Sequence, residues 1–195
     1  MPKPWEDRVD EERDCSADAI YVEVGRALTQ WETLESELAN IYAHLLADGS
    51  GARFLAAGSS FGQISGSMNR QEMLKSVIAI VLSSPPMDAL EEIKAEISVL
   101  LNDVRNYTGR RNAIAHGVVI ELSVNNGPRA SFLAPAWYMT RKQHAPASFS
   151  PKFMFNSRTL AYSTLIFMEL RTRATNIHLK ILTYLSKREP LSGAK

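Results

Sequence analysis

The chain has 195 residues, of which 45% are hydrophobic and 22% charged, and a formal net charge of +1 at pH 7. This length allows one sizeable core, and the composition is that of an ordinary soluble globular protein, which excludes a largely disordered chain. The longest uncharged apolar run, residues 76–82, is far too short to span a bilayer. The polar N-terminus lacks the apolar segment of a signal peptide, and the single cysteine, Cys15, cannot form an internal disulfide, so we expect a cytoplasmic protein.

The small net charge conceals an unequal distribution along the chain. Residues 1–104 hold 8 basic and 18 acidic side chains, whereas residues 105–195 hold 14 basic and 3 acidic ones. A basic surface would attract a polyanion such as nucleic acid. Alternatively, the acidic helices pack against the basic one and neutralise it within the protein. Charge alone favours neither interpretation.

The first half of the chain predicts two main helices. Residues 1–15 are expected to form a flexible charged arm, and Ser16 to cap a helix that ends near Leu46. Steps of three and four residues separate its apolar positions, which are Ile20, Val24, Ala27, Trp31, Leu34, Leu38, Ile41 and Leu45. A Gly- and Ser-rich stretch, residues 56–69, is predicted as a loop or short helical pieces, and residues 70–82 as the second main helix.

The second half predicts two more helices and a hairpin. Ser84 is expected to cap the third helix, and the alternating pattern after Gly117 predicts a β-hairpin over about 117–140, with its turn at 125–128. Residues 140–155 are expected to be irregular, and a last long helix to cover about 157–185. The predicted fold is mainly α, a bundle of four to five helices with a β-hairpin inserted between the third and last long helices. We expect one domain over 16–188 and a tail at 189–195.

Several classes of enzyme are disfavoured by missing motifs. The four histidines are not preceded by an acidic residue at the spacing typical of di-metal bundles, and the chain has no zinc-type cysteine pair. Glycine loops of the Walker or Rossmann type and a nucleophile elbow are also missing. We therefore expect no metal and no cofactor.

The stretch RRNAIAHG, residues 110–117, contains the strongest candidate for chemistry. If the third helix continues through it, Asn112 and His116 lie four residues apart on one face, and the long side chain of Arg111 can reach the same place. Histidine can move a proton near neutral pH, and arginine can bind a phosphate and stabilise its growing charge. The small residues Ala115 and Gly117 are expected to leave room beside the imidazole. A histidine at a helix end often has only a structural role, and the bare spacing is a weak signal.

The residues RNAIAHG resemble the Arg-x4-6-His signature of the HEPN superfamily, the higher eukaryotes and prokaryotes nucleotide-binding domains. The long first helix with WETLESEL and the position of the motif near a helix end are similar to that superfamily as well. The resemblance covers most of residues 17–186, although only the seven-residue core is specific.

The resemblance implies a metal-independent endoribonuclease whose site is completed by a homodimer. Carried over to this sequence, Arg111 and His116 would be catalytic, and Asn112 would orient or bind. Arg110 is a reserve candidate because Arg-x5-His also fits the pattern. Val119 departs from the tyrosine that members paired with nucleotidyltransferase antitoxins carry, which puts a toxin role with that kind of antitoxin partner in doubt.

RNA is the predicted partner, and a membrane is not. The predicted RNA-binding residues are Arg105, Arg110, Arg129, Arg141 and Lys142. Trp137 and Tyr138 are expected in the core or an interface rather than stacked on bases. Two other interpretations stay open: a non-catalytic module that binds RNA, a nucleotide or a protein, and a purely structural cluster that ties the helix end to the hairpin.

Overall fold

A computed structural model describes residues 16–47, 50–82, 88–123, 129–134 and 154–187. The described chain forms the helices α1 (Ala17–Leu46), α2 (Gly51–Gln63), α3 (Ser67–Val81), α4 (Asp88–Ala115) and α5 (Ser157–Lys187), and the strands β1 (Val118–Ser123) and β2 (Arg129–Ala134). Helices account for 83% of these residues. The two strands pair antiparallel, with Val118 opposite Ala134 and Ser123 opposite Arg129. The predicted mainly helical fold with a hairpin before the last helix is confirmed, whereas its assignment to the HEPN type stays a prediction.

Helix α1 has the predicted start and the predicted buried face. The hydroxyl of Ser16 accepts a hydrogen bond from the backbone N–H of Ala19 at 3.4 Å, which satisfies one of the N–H groups that a helix start leaves unpaired. Of the eight predicted apolar positions, all except Val24 are buried. Removing this stripe from water stabilises the fold by roughly 25 cal/mol per Å² of apolar surface.

Helix α2 differs from the predicted loop or short helical pieces, because a continuous helix of 13 residues occupies much of that stretch. Ser50 caps it by accepting a hydrogen bond from the N–H of Arg53 at 3.5 Å. Ala57 and Phe61, four residues apart, are its buried residues, and the ring of Phe61 lies 5.0 Å from that of Tyr42. Burial of this short apolar face outweighs the low helix propensity of glycine.

Some predicted features lie outside the described residues. They are the N-terminal arm with Cys15, the cap Ser84, the hairpin turn 125–128, the irregular segment up to residue 153, and the C-terminal tail.

The chain divides into two compact units. The first unit, which we call the hairpin unit, comprises the residues up to Glu32 and Tyr107–Met168. The second unit comprises Thr33–Asn106 and the residues from Glu169 onward. The prediction of a single domain over 16–188 stays a prediction. None of the described helices is both long and apolar enough to cross a membrane.

In the hairpin unit, an aromatic pair packs α1 against α5, and an apolar cluster lies at the hairpin. Trp31 of α1 is 1% exposed and packs edge-on against Phe167 of α5, with 5.0 Å between ring centroids. Under the hairpin, a separate apolar cluster is formed by Ala130, Phe132, Ala134 and Met154, with Ile120 and Leu122 packed against it.

Candidate functional site

The predicted motif lies at the C-terminal end of α4, in the hairpin unit. The N–H of His116 donates to the carbonyl of Asn112 at 3.0 Å, and the N–H of Gly117 donates to that of Ile114 at 3.4 Å, so the helical hydrogen bonds end here and β1 begins at Val118. Ile114 is 1% exposed and anchors this turn in the core. The core therefore holds in place the backbone that carries the polar side chains next to Ile114.

Arg110 is buried inside the hairpin unit. Its Nε donates to the hydroxyl of Ser163 at 3.1 Å, and its Nη2 donates to the carbonyl of Thr159 at 3.4 Å. The guanidinium carbon lies 4.4 Å from the centre of the Phe155 ring, a cation–π contact. Only 5% of the residue is exposed. These contacts give Arg110 a structural role and leave little of it for a ligand.

Arg111, its neighbour in the chain, points to a different environment. Its Nη2 donates to Oε1 of Glu32 at 2.8 Å, and its Nη1 donates to Oδ1 of Asn112 at 3.3 Å. The side chain is 28% exposed, and its buried Nε has no hydrogen-bond partner among the described residues. Hydrogen bonds thus hold both terminal nitrogens of Arg111, and the side chain is still partly exposed to solvent. Of the two arginines that fit the sequence pattern, it is the one that a ligand can reach.

His116 is exposed in the turn that follows α4. Gly117 beside it is required by packing: a Cβ atom built there would lie 2.6 Å from Cγ of Leu133 and 3.0 Å from the carbonyl oxygen of Ala113. The side chain of Leu133 thus fills the space over this glycine. The expectation that small neighbours leave room beside the imidazole stays a prediction, and His116 itself is exposed.

The hairpin and the start of α5 are joined next to Arg110. Leu133 and Phe155 exchange two backbone hydrogen bonds of 2.8 and 2.9 Å, which hold the segment before α5 against β2. Asn156 then caps α5, since its Oδ1 accepts from the N–H of Thr159 at 2.8 Å and from the Thr159 hydroxyl at 2.7 Å. These bonds place Phe155 under the Arg110 guanidinium. No sequence signal pointed to this arrangement, because Phe155 lies 22 residues from Leu133 and 45 residues from Arg110 along the chain.

The other predicted RNA-binding residues belong to different parts of the chain. Arg129 is exposed at the start of β2. Arg105 belongs to the second unit and lies 3.7 Å from Glu72, with half of its side chain exposed. Arg141 and Lys142, like Trp137 and Tyr138, lie outside the described residues.

Part of the basic excess is neutralised within the second unit. Arg173 of α5 pairs with Asp103 of α4 at 2.8 Å. Lys180 lies 3.0 Å from Glu92 and 2.5 Å from Glu96, and hydrogen bonds to Glu96 and Glu92 raise its pKa. For these cations the alternative of internal neutralisation is supported, so the charge count of the sequence overstates the basic surface.

A histidine pair in the second unit was missed by sequence reasoning. Nε2 of His178 lies 3.0 Å from Nδ1 of His44, and Nδ1 of His178 lies 3.6 Å from Oε1 of Glu37. His44 Nδ1 also lies 3.0 Å from the carbonyl of Asn40, which can only accept, so we place a proton on that nitrogen. Glu37 and His44 are seven residues apart and share a face of α1, but nothing in the sequence connected them with His178.

The surroundings of His178 and Glu37 shift the pKa values of these two side chains. Burial lowers the pKa of His178, and the nearby His44 lowers it further, against the opposing effect of Glu37. The pKa of Glu37 is lowered despite its partial burial, because Asn40, Thr175 and His178 stabilise the carboxylate. Among the described residues no group of three or more His, Cys, Asp or Glu side chains is arranged to hold a metal ion.

The second unit also has an open groove of about 750 Å³ between α4 and α5. Its lining includes the apolar residues Val99 and Ile177 and the charged residues Glu96, Arg173 and Lys180. None of the lining residues belongs to the Arg111–Asn112–His116 group.

Comparison with protein-family models, with curated proteins and with solved structures gave no match to this chain.

Proposed function

We propose that this protein is a metal-independent endoribonuclease of HEPN-like type and that Arg111, Asn112 and His116 form its site. The observation that carries the proposal is the exposed His116 at the same helix end as a partly exposed arginine whose terminal nitrogens are held in place. An imidazole and a guanidinium are the two groups that cleavage of a phosphodiester needs when no metal takes part.

In the proposed reaction, His116 removes the proton from a ribose 2′-hydroxyl, which attacks the adjacent phosphorus. Arg111 neutralises the charge that builds up on the phosphoryl oxygens. The bond from phosphorus to the 5′-oxygen breaks, and that oxygen takes a proton from an acid that a second copy of the chain would supply as its own His116. The products are a 2′,3′-cyclic phosphate and a 5′-hydroxyl. Asn112, through its contact with Nη1 of Arg111, orients the guanidinium.

The test is cleavage of RNA in EDTA by the full chain, with the Arg111→Ala/His116→Ala variant beside it. We expect cleavage by the wild type, with cyclic-phosphate ends, and a loss of at least about a hundredfold in the variant. Circular dichroism checks that both proteins are equally folded. Equal cleavage by both would indicate a contaminant or another site, and strict dependence on a divalent metal would rule out the mechanism.

The second candidate is a non-catalytic module that binds RNA or a nucleotide at the same place. The contact of Arg111 with Glu32 fits this candidate as well, because an oriented and partly exposed guanidinium binds a phosphate whether or not cleavage follows. This candidate predicts that His116→Ala binds RNA as the wild type does and that neither protein cleaves it. Titration of a fluorescent RNA at two salt concentrations measures that binding.

A further inference from the structure

We infer that Glu32 is the positioning residue of Arg111: its carboxylate holds the guanidinium in the orientation in which it meets a phosphate. This inference rests on the proposed function. It adds to the site a residue of α1 that is 79 positions away from Arg111 and has no place in the sequence motif.

The contacts of Arg111 support an oriented guanidinium. Glu32 accepts from Nη2 at 2.8 Å and Asn112 accepts from Nη1 at 3.3 Å, so both terminal nitrogens have a partner. The bond to Glu32 joins two charged groups, and a charged hydrogen bond of 2.8 Å is stronger than a neutral one. Together with the weaker contact to Asn112, it fixes the plane of the guanidinium. Asn112 lies next to Arg111 in the chain, and Glu32 is therefore the contact that ties the side chain to another element.

Glu32 is itself carried by a rigid part of α1. It directly follows Trp31, which is 1% exposed and packs edge-on against Phe167 at 5.0 Å. Ala27, about one turn earlier, is fully buried. The backbone at Glu32 is therefore anchored by the core of the hairpin unit, and only its side chain reaches solvent.

Glu32 has two opposing effects on the site. Its negative charge weakens the attraction of Arg111 for a phosphate, but the Glu32 side chain is 62% exposed, so solvent screens much of that effect. Its hydrogen bond restricts a long side chain with many rotamers, and correct orientation of a charged group accelerates a reaction strongly. We therefore expect Glu32 to raise kcat and, through its charge, to raise KM slightly.

The first experiment compares steady-state cleavage of an RNA oligonucleotide by the full chain and two variants of Glu32. In Glu32→Ala, kcat is expected to fall about tenfold, since Arg111 loses its orientation, while KM falls about twofold, since a negative charge is lost. Glu32→Gln keeps an oxygen that accepts from Nη2, so most of the kcat should return while the low KM remains. A variant that is merely less well folded would not separate kcat from KM in this way.

Glu91→Ala is the matched control. Glu91 has a similar exposed fraction, 59%, and its carboxylate lies 2.8 Å from Lys94. Its removal changes the net charge equally and breaks an ion pair of the same length. We expect its kcat to equal that of the wild type. A kcat of Glu32→Ala within twofold of the wild type, or a Glu32→Gln variant as slow as Glu32→Ala, would overturn the inference and leave the endoribonuclease proposal standing.

A second measurement tests the contact without cleavage, which keeps the two proposals distinguishable. Nitrogen-15 NMR of the arginine side chains, assigned with Arg111→Lys, should give separate Nη signals for Arg111 in the wild type, because two hydrogen bonds slow rotation about the Cζ–Nη bonds. In Glu32→Ala the signals should merge. Merged signals in the wild type would overturn the positioning role. Separate signals in a wild type that does not cleave RNA would refute the proposed function alone.

Discussion

Arg110 and Arg111 occupy adjacent positions and have opposite surroundings. One hundred degrees of helix rotation separates neighbouring residues, which here places Arg110 against Ser163 and Phe155 and Arg111 toward Glu32 and solvent. The sequence pattern accepts either arginine, because it counts spacing and does not record which face of α4 the core covers.

This difference predicts unequal effects on stability. Arg110→Ala removes two hydrogen bonds and a stacked group from a buried place, so we expect the free energy of unfolding to fall by about 3 kcal/mol. Arg111→Ala removes an exposed ion pair and should cost less than about 1 kcal/mol. Urea unfolding followed by circular dichroism measures both. An equal decrease in the free energy of unfolding of the two variants would contradict the larger structural role of Arg110.

The hairpin packs closely on the end of α4. The side chain of Leu133 in β2 occupies the position that a Cβ atom of residue 117 would need, and the carbonyl of Ala113 borders it. Glycine is therefore required at 117 by the approach of strand to helix rather than by the chemistry of His116.

Gly117→Ala is accordingly expected to lower the free energy of unfolding by about 1–3 kcal/mol, because Leu133 must leave its rotamer or the strand must shift. Gly58→Ala serves as the control: a Cβ there has no neighbour within 4 Å, and alanine in a helix is favoured over glycine by about 1 kcal/mol. Thermal unfolding of the two variants should move in opposite directions. A stabilised Gly117→Ala would contradict the close packing.

The elements that could be predicted were those with a long, regular apolar stripe. Helix α1 follows from the spacing of its apolar residues, and its cap follows from the residue type of Ser16. The two strands follow from the alternating pattern and from the turn residues between them. Helix α2 could not be predicted in full, since only Ala57 and Phe61 mark its buried face among glycines and serines. The motif residues Arg111 and His116 were visible in the sequence, whereas Glu32 was not, because its contact depends on tertiary packing.

The stability of the protein is linked to pH through the second unit. The pKa of His178 is lowered in the folded protein, mainly by burial, so the folded state binds fewer protons than the unfolded state near and below the ordinary histidine pKa of 6.5. Stability is therefore highest above that pH and falls as the pH drops through it. The lowered pKa of Glu37 stabilises the fold above its ordinary value of 4.5, and this contribution is lost only as the pH falls through that value and below, so it adds little to the change between pH 7.5 and 5.

We expect the free energy of unfolding of the wild type to decrease between pH 7.5 and 5, and the decrease to be smaller in His178→Gln. Urea unfolding at four pH values measures the two slopes. Glutamine keeps a polar group beside Glu37 and His44 without titrating in this range. Identical slopes in the two proteins would assign the loss of stability in acid to other groups.

The ion pairs of α5 with α4 have a consequence for truncation of the protein. Arg173 and Lys180 face Asp103, Glu92 and Glu96 in the intact second unit. A fragment that keeps α5 and lacks α4 exposes these cations together, and such a fragment attracts any polyanion without regard to its sequence. The affinity of that fragment for RNA would therefore arise from cations that the truncation exposes. The intact chain would bind RNA more weakly, and its affinity would depend less on the salt concentration.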